Sequence, residues 1–333
     1  MPAEWEPHAA TWLSWPRREG ISFPDAYDEV MPAFRRMVDA LRESEPVRIN
    51  VRDAQHEDDV RRVLAGIDLA HVHFFRIPTN EPWCRDHGPM FIKRDRDRSV
   101  AIVDWNYNAW GGKYPPYDLD EVVPVRIAEQ LGLEVFSPGL VMEGGSIDLN
   151  GSGSILTTRA CLLNPNRNPA RNKTEIEQAL SDYLGVRHFL WLGDGIDGDD
   201  TDGHIDDITR FVARNVVVTA VEPDRHDPNH EPLRQNLDAL RTFTAEDGSP
   251  LHVIEVPMPP RVEKQGMRLP ASHLNFYIAN RVVLVPAFGG GSDHVAAEIL
   301  QRCFPRRRIM LIDCRELVWG LGAFHCLTQQ QPE

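Results

Sequence analysis

The sequence is short of positive charge. Its 36 lysines and arginines stand against 50 aspartates and glutamates, a formal net charge of −14. Phosphate backbones need a basic face, so no nucleic-acid partner is expected. A small cation suits this balance, although acidity alone does not demand one. Paired cysteines are lacking too. The five are Cys84, Cys161, Cys303, Cys314 and Cys326, an odd number at wide spacing, with no CxxC and no Cys-His cluster at zinc-ligand spacing. Reduced thiols in a cytoplasmic protein are expected. No apolar run approaches the ~20 residues of a membrane span. The opening MPAEWEPHAATWLSWP has acids and prolines where a signal peptide has a basic start and an apolar stretch, so neither leader nor membrane is expected. Low-complexity linkers and charge blocks are missing as well. The length allows one large domain or two ordinary ones, and residues 1–333 are taken as one.

What is there is a recurring theme. A polar, glycine-containing turn leads into a short strand, then a second strand, then a helix. RDHGPMFIKRDRDRSVAIVDW opens one such unit and EGGSIDLNGSGSILTT a second, followed by helical KTEIEQALSDYLG. GHIDDITRFVARNVVVTAV and SHLNFYIANRVVLVPAF open two more, each with a helical segment behind it. HAATWLSWP precedes the helical DAYDEVMPAFRRMVDALRES, in which Phe34, Met37, Val38 and Leu41 share a face. The C-terminal FHCLTQQ can close this fifth unit. Units of roughly 60 residues that cannot bury their own apolar faces must pack on one another. Five can close into a ring whose polar turns meet at the centre; an ordinary mixed α/β sheet is the alternative.

If the turns meet, so do Asp86 in WCRDHGP, Glu143 in MEGGSID, His204 and Asp206 in DGHIDD, and Cys326 in FHCLTQQ. A cysteine attacks as the thiolate, which a neighbouring cation favours. A histidine can serve as general acid and base. Three carboxylates suit a planar cation with several N–H donors, which is a guanidinium. Each residue also has a plainer reading. Cys326 could end a core strand, Asp86 could pair with Arg85 at the surface, and EGGSIDLNG could be a hairpin turning at Asn150-Gly151. Cys161, Cys303 and Cys314 sit in apolar or helical contexts and are taken as structural. If FHCLTQQ is a strand, His325 points away from Cys326, leaving His204 as the base. If GHIDD is a strand, His204 and Asp206 share a side and Asp207 faces away, so Asp207→Asn is expected to be nearly silent. The acidic run GDGIDGDDTDGHIDD fails the EF-hand frame, since Gly203 at the required glycine puts Thr209 where the bidentate glutamate belongs. A looser metal loop stays open, but no metal ligand set is assigned.

WCRDHGP, NAWGGKY, EGGSID, TDGHIDD, LNFYIAN and HCLTQQQP occur in this order, and with the opening segment they resemble the agmatine deiminase / bacterial peptidylarginine deiminase family from residue 3 to residue 332. The resemblance implies an α/β pentein fold, a five-bladed propeller of ββαβ units with pseudo-fivefold symmetry. It implies Cys326 as nucleophile, His204 as acid and base, and Glu143 as the acid that orients the histidine. Asp86 and Asp206 would hold the guanidinium, and Trp83 would line the substrate channel. It implies hydrolysis of agmatine to N-carbamoylputrescine and ammonia, toward putrescine, with no cofactor and a small guanidino compound as the only partner; a homo-oligomer is left open. Another small guanidine, peptidyl-arginine, or a non-catalytic binder of cations are the alternatives. The chain departs from the family's pattern at Leu321, Ala323 and Phe324, where glycine and asparagine are usual, and at Asp207, where asparagine is usual. These departures bear on the substrate's tail more than on its head.

Overall fold

The computed structural model describes residues 1–333. Most strands fall into five sheets of three or four strands; a small separate hairpin pairs Glu263–Lys264 with Met267–Arg268. Four sheets share one connection. A first strand lies antiparallel to a second, a helix follows, and a third strand returns parallel to the second. They are Met90–Lys93, Val100–Val103 and Val135–Phe136; Ile147–Leu149, Ser154–Thr158 and His188–Leu192; Thr209–Ala213, Val216–Val221 and His252–Pro257; and Tyr277–Ile278, Val282–Ala287 and Arg308–Asp313. The fifth sheet uses both ends of the chain. Thr328–Pro332 takes the first place, antiparallel to His8–Ser14, and Val47–Val51 and Val72–Arg76 follow in parallel. A parallel return needs a crossover, and the helices supply it.

The local reasons are legible. Val282–Pro286 and Val217–Ala220 are buried because helices cover sheets of this kind on their outer side. Helix Tyr27–Arg42 buries Val30, Phe34, Met37, Val38 and Leu41 along one stripe. Helix Lys173–Leu184 starts in a capping box between Asn172 and Glu175 and stops at Gly185. No helix is long and apolar enough to cross a membrane.

Each first strand is preceded by a polar segment, and these segments touch. The helical turn Cys84–His87 packs on the turns Phe324–Leu327 and Gly144–Ser146, and the latter packs on Ile205–Asp207. Two expected strands are therefore corrected. Ile205–Asp207 is a 3₁₀ turn and Phe324–Leu327 is helical, with strand geometry beginning only at Thr209 and Thr328. The chain has to swing into the sheet at these points. Local bonds such as Ile208 N–H to Ile205 O (3.0 Å) hold the swing in place of a ladder. Side chains fan around a tight turn and do not alternate across it. Asp207 is accordingly buried (3% exposed) and not turned outward, and His325 faces the site from below.

Candidate active site

Cys326 sits in the last of these turns, 6% exposed. Its sulfur accepts a hydrogen bond from Asn275 Nδ2 at 3.0 Å and lies 3.6 Å from Asp206 Oδ2. Asn275 is pinned. Its Oδ1 accepts the backbone N–H groups of Cys326 and Ala323, both at 3.2 Å, and its Nδ2 also reaches Asp207 Oδ1 at 3.0 Å. Only one amide orientation satisfies all four contacts, so an N–H must face the sulfur.

Asp206 has two unlike oxygens. Oδ2 meets His325 Nδ1 at 2.6 Å, while Oδ1 is buried without a partner. His325 Nε2 reaches Glu4 Oε2 at 2.9 Å, so the ring donates on both sides only as the imidazolium. Glu4 is also paired with Arg85 (3.1 Å) and Arg210 (3.0 Å), which makes a buried ionic floor beneath the thiol. Opposite stands Asp86, fixed by Trp110 Nε1 and the Gly145 N–H, each at 3.0 Å. His204 lies between two acids. Its Nδ1 is 3.8 Å from Asp86 Oδ1 and its Nε2 is 3.9 Å from Glu143 Oε2, ionic contacts longer than hydrogen bonds. Glu143 Oε1 is held by Arg167 Nε at 2.7 Å. A Cβ on Gly145 would come within 2.5 Å of His204 Nδ1, 2.9 Å of Asp86 Oδ1 and 3.1 Å of Asp206 Oδ2, so these three groups close around one point that only glycine can border.

A cavity of about 440 Å³ leads from the surface to Asp86 and Cys326. Trp83, Trp110 and Trp319 line it, with Glu81 and Asp200 as the acids on its wall. Gly322 lets the Trp83 ring approach, since a Cβ there would lie 2.6 Å from it. Leu321, also on the wall, holds φ +68°, a left-handed conformation that costs a branched residue on the order of 1 kcal/mol. Leu321 thus places an apolar side chain in the channel.

Electrostatics fixes the resting state. Burial, then Asp206, Asp207 and Asp86, push the Cys326 thiol well above its ordinary range, and the Asn275 N–H only partly opposes them. Burial would lower His204, but Asp86, Cys161 and Glu143 outweigh it and keep the ring cationic. Burial raises Asp86 to about 6, countered by His204 and reinforced by Asp206 and Glu143. Burial works against ionised Asp206 and Glu143 as well. His325 nevertheless holds Asp206 below its usual range, and His204 with Arg167 does so for Glu143. The free site is a protonated thiol ringed by acids, which an arriving cation would ionise.

All six residues expected here, Trp83, Asp86, Glu143, His204, Asp206 and Cys326, line the cavity or stand around its inner end. The surface-pair alternative for Asp86 is excluded, because Arg85 turns to Glu4 and Gln330 and both residues are buried. Cys161, taken as structural, is buried, and its sulfur lies within 4.8 Å of donor atoms on both Glu143 and His204. In the acidic run, Asp199 is satisfied by the N–H groups of Thr201, Gly203 and His204, and Asp202 by Lys113, Asn166 and Arg167. Those carboxylates are spent on shaping the loop. Asn275, His325, Glu4, Arg167 and Trp110 were missed. Asn275 had a signal: it lies in the polar segment within a few residues of its first strand, as Asp86, Glu143, Asp206 and Cys326 do before theirs. Replacing it with alanine removes a hydrogen bond to a charge, worth about 1.5–3 kcal/mol, and should raise the thiol pKa by about one unit or more. The rate of Cys326 alkylation against pH checks this; an unshifted profile contradicts the contact.

The chain matches the model of the Porphyromonas-type peptidyl-arginine deiminase family over residues 1–332. It is 38% identical over 334 residues to a Legionella pneumophila protein provisionally named as an agmatine deiminase, covering 100% of this chain and 94% of that one. The solved agmatine deiminase of Enterococcus faecalis superposes with a TM-score of 0.93 at 34% identity, covering 100% and 95%. A cysteine-to-serine variant of the C. jejuni agmatine deiminase, solved with substrate bound, gives 0.91 at 29% identity, covering 100% and 96%.

Proposed function

The chain belongs to the Porphyromonas-type peptidyl-arginine deiminase family, and from this membership we propose that it is an agmatine deiminase, hydrolysing a guanidinium C–N bond to N-carbamoylputrescine and ammonia. The observation that carries the reading is Asp206 Oδ1, a buried and unpartnered acceptor on the residue whose other oxygen lies 3.6 Å from the Cys326 sulfur. Such an acceptor forfeits about 1–3 kcal/mol until an N–H arrives.

The guanidinium sits between Asp86 and Asp206, and its charge favours loss of the Cys326 proton to solvent, leaving the thiolate. The sulfur attacks the central carbon and forms the C–S bond. His204, on the Asp86 side, gives its proton to the departing nitrogen, and ammonia leaves as the tetrahedral adduct collapses to a thiouronium. Water then adds to the same carbon, and the now neutral His204 takes its proton. Collapse breaks the C–S bond, the hydroxyl proton of the adduct passing to the leaving sulfur, and releases the ureido product. No step calls for a metal or an organic cofactor. Asp200, held by the Tyr114 hydroxyl on the channel wall, suits the ammonium tail of agmatine. Arg268 is the one basic residue on that wall, and Asp227 occupies its Nη1 at 2.7 Å, leaving no cation for the carboxylate of free arginine. The reading includes a single pentein domain over 1–333, with the five repeated units as blades around the site; their shared strand order and touching polar turns support it. Five unpaired cysteines suit a cytoplasmic setting.

Ammonia release should be at least about tenfold higher in kcat/KM for agmatine than for arginine, peptidyl-arginine or guanidino acids, the cost of one misplaced charge at ~1.4 kcal/mol per decade. A preference for peptidyl-arginine would overturn the substrate assignment. The acid limb is set by Asp86. Protonation removes one of the two negative charges on the guanidinium, so kcat/KM should fall as pH drops below about 6. A profile flat from pH 7 to pH 5 would contradict the role of Asp86.

A further inference from the structure

Three donors that do not line the channel face one another. The Cys161 sulfur, a Glu143 carboxylate oxygen and a His204 ring nitrogen lie within 4.8 Å of one another, and all three residues are buried. His204 Nε2 and Glu143 Oε2, 3.9 Å apart, have no hydrogen-bond partner. The scaffold holds them firmly. Thr158 Oγ1 accepts the Cys161 N–H at 3.2 Å and donates to Gly203 O at 2.6 Å, tying the Cys161 turn to the residue before His204. Arg167 fixes the other Glu143 oxygen. Spacing along the sequence hides the set, because each donor comes from a different segment.

We propose that Glu143, Cys161 and His204 form a binding site for a soft divalent cation of the zinc type, and that its occupancy switches the enzyme off. Thiolate, imidazole and carboxylate make a donor set for zinc, with a fourth position left to solvent, and they do not suit the oxygen-seeking magnesium or calcium. Charge bookkeeping favours it. The cation enters as two protons leave for solvent, one from the thiol and one from Nε2 of the imidazolium. The net charge of the buried group, Arg167 included, is unchanged. Inhibition follows from which nitrogen is taken. Nδ1 faces Asp86 and the substrate, whereas Nε2 faces the new site. With Nε2 on the metal, Nδ1 keeps its proton and the ring cannot cycle between acid and base. The guanidinium pocket is untouched, so kcat should fall while KM stays.

The inhibitory half rests on the proposed deiminase activity; the binding half does not, and the test separates them. Cobalt(II) is titrated into the full chain as Cys326→Ala, as Cys161→Ala and as Cys161→Ser. One equivalent should bind Cys326→Ala with a thiolate-to-cobalt charge-transfer band, and the band should be missing from both Cys161 variants. Binding should tighten at least about tenfold from pH 6 to pH 8, because two protons are released. With agmatine as substrate, zinc should lower kcat of the unmodified protein reversibly to chelator. The zinc concentration for half inhibition should rise at least about tenfold in Cys161→Ser, measured against that variant's own uninhibited rate. A band that follows Cys326 in place of Cys161, no band in any variant, or zinc inhibition that raises KM alone would overturn the site.

Discussion

Cys326→Ser should abolish turnover, by at least about four decades in kcat, as removal of a covalent nucleophile does elsewhere. A serine hydroxyl ringed by Asp206, Asp207 and Asp86 has no route to the alkoxide at neutral pH. The same three acids already push the far more acidic thiol well above its usual range. The fold should survive, since the sulfur accepts one side-chain hydrogen bond from Asn275 and a hydroxyl can accept it too. Steady-state ammonia release with a thermal melt reads both outcomes. Activity within about tenfold of the unmodified protein would rule out a covalent intermediate. A haloacetamidine supplies the complementary measurement. Its amidinium should occupy the guanidinium pocket and label Cys326 alone, since Cys84, Cys161 and Cys314 are fully buried and half-buried Cys303 lies outside that pocket. A purely cation-binding protein would give neither result.

Asp206→Asn should cost about two to four decades in kcat/KM. Breaking a buried charge pair costs on the order of 3–5 kcal/mol, and this carboxylate is paired on one side and open to the substrate on the other. The amide keeps the shape, loses the charge and turns an acceptor into a donor. It would also leave Glu4 as the only carboxylate facing the His325 ring. Asp86→Asn should follow the same direction, with the Trp110 and Gly145 donors then facing an amide. Asp207→Asn is the comparison. Asp207 does not face away from the site as expected, because it is buried against Asn275. Its effect should still be milder than that of Asp206→Asn, for a different reason. Burial, then Asp206 and Asp199, push its carboxyl well above the ordinary range, toward the neutral form that an amide mimics. Steady-state kinetics on the three variants decides the order. An Asp207 variant as damaged as the Asp206 variant would mean that charge on both carboxylates is needed.

The repeat of strand, strand and helix was legible because it is local. β-branched runs such as those at Val216–Val221 and Val282–Ala287, the amphipathic stripe of Tyr27–Arg42, and the polar turns between them each follow from neighbouring residues. The pairing of Thr328–Pro332 with His8–Ser14 could be suspected from the incomplete first unit, and it is what draws Cys326 into the site. The strand assignments at GHIDD and FHCLTQQ failed where alternation was extended into the turns. A turn bonded to itself and to Asn275 has no partner strand to impose a period of two.

The sequence by itself determined the chemistry: a thiol, an imidazole and a set of carboxylates placed at the starts of repeated units. Their types and order do not depend on long-range geometry. Tertiary structure decided how they act. Asn275 meets the sulfur across 51 residues of chain, and His325 reaches Asp206 across 119 and Glu4 across 321. Cys161 joins Glu143 and His204 only when two units pack. Which oxygen of Asp206 is spent and which is unpartnered, and which nitrogen of His204 faces Asp86, are set by contacts between distant segments. Ionisation in a buried site is set by distances of a few ångströms, and those distances exist only once the segments have packed.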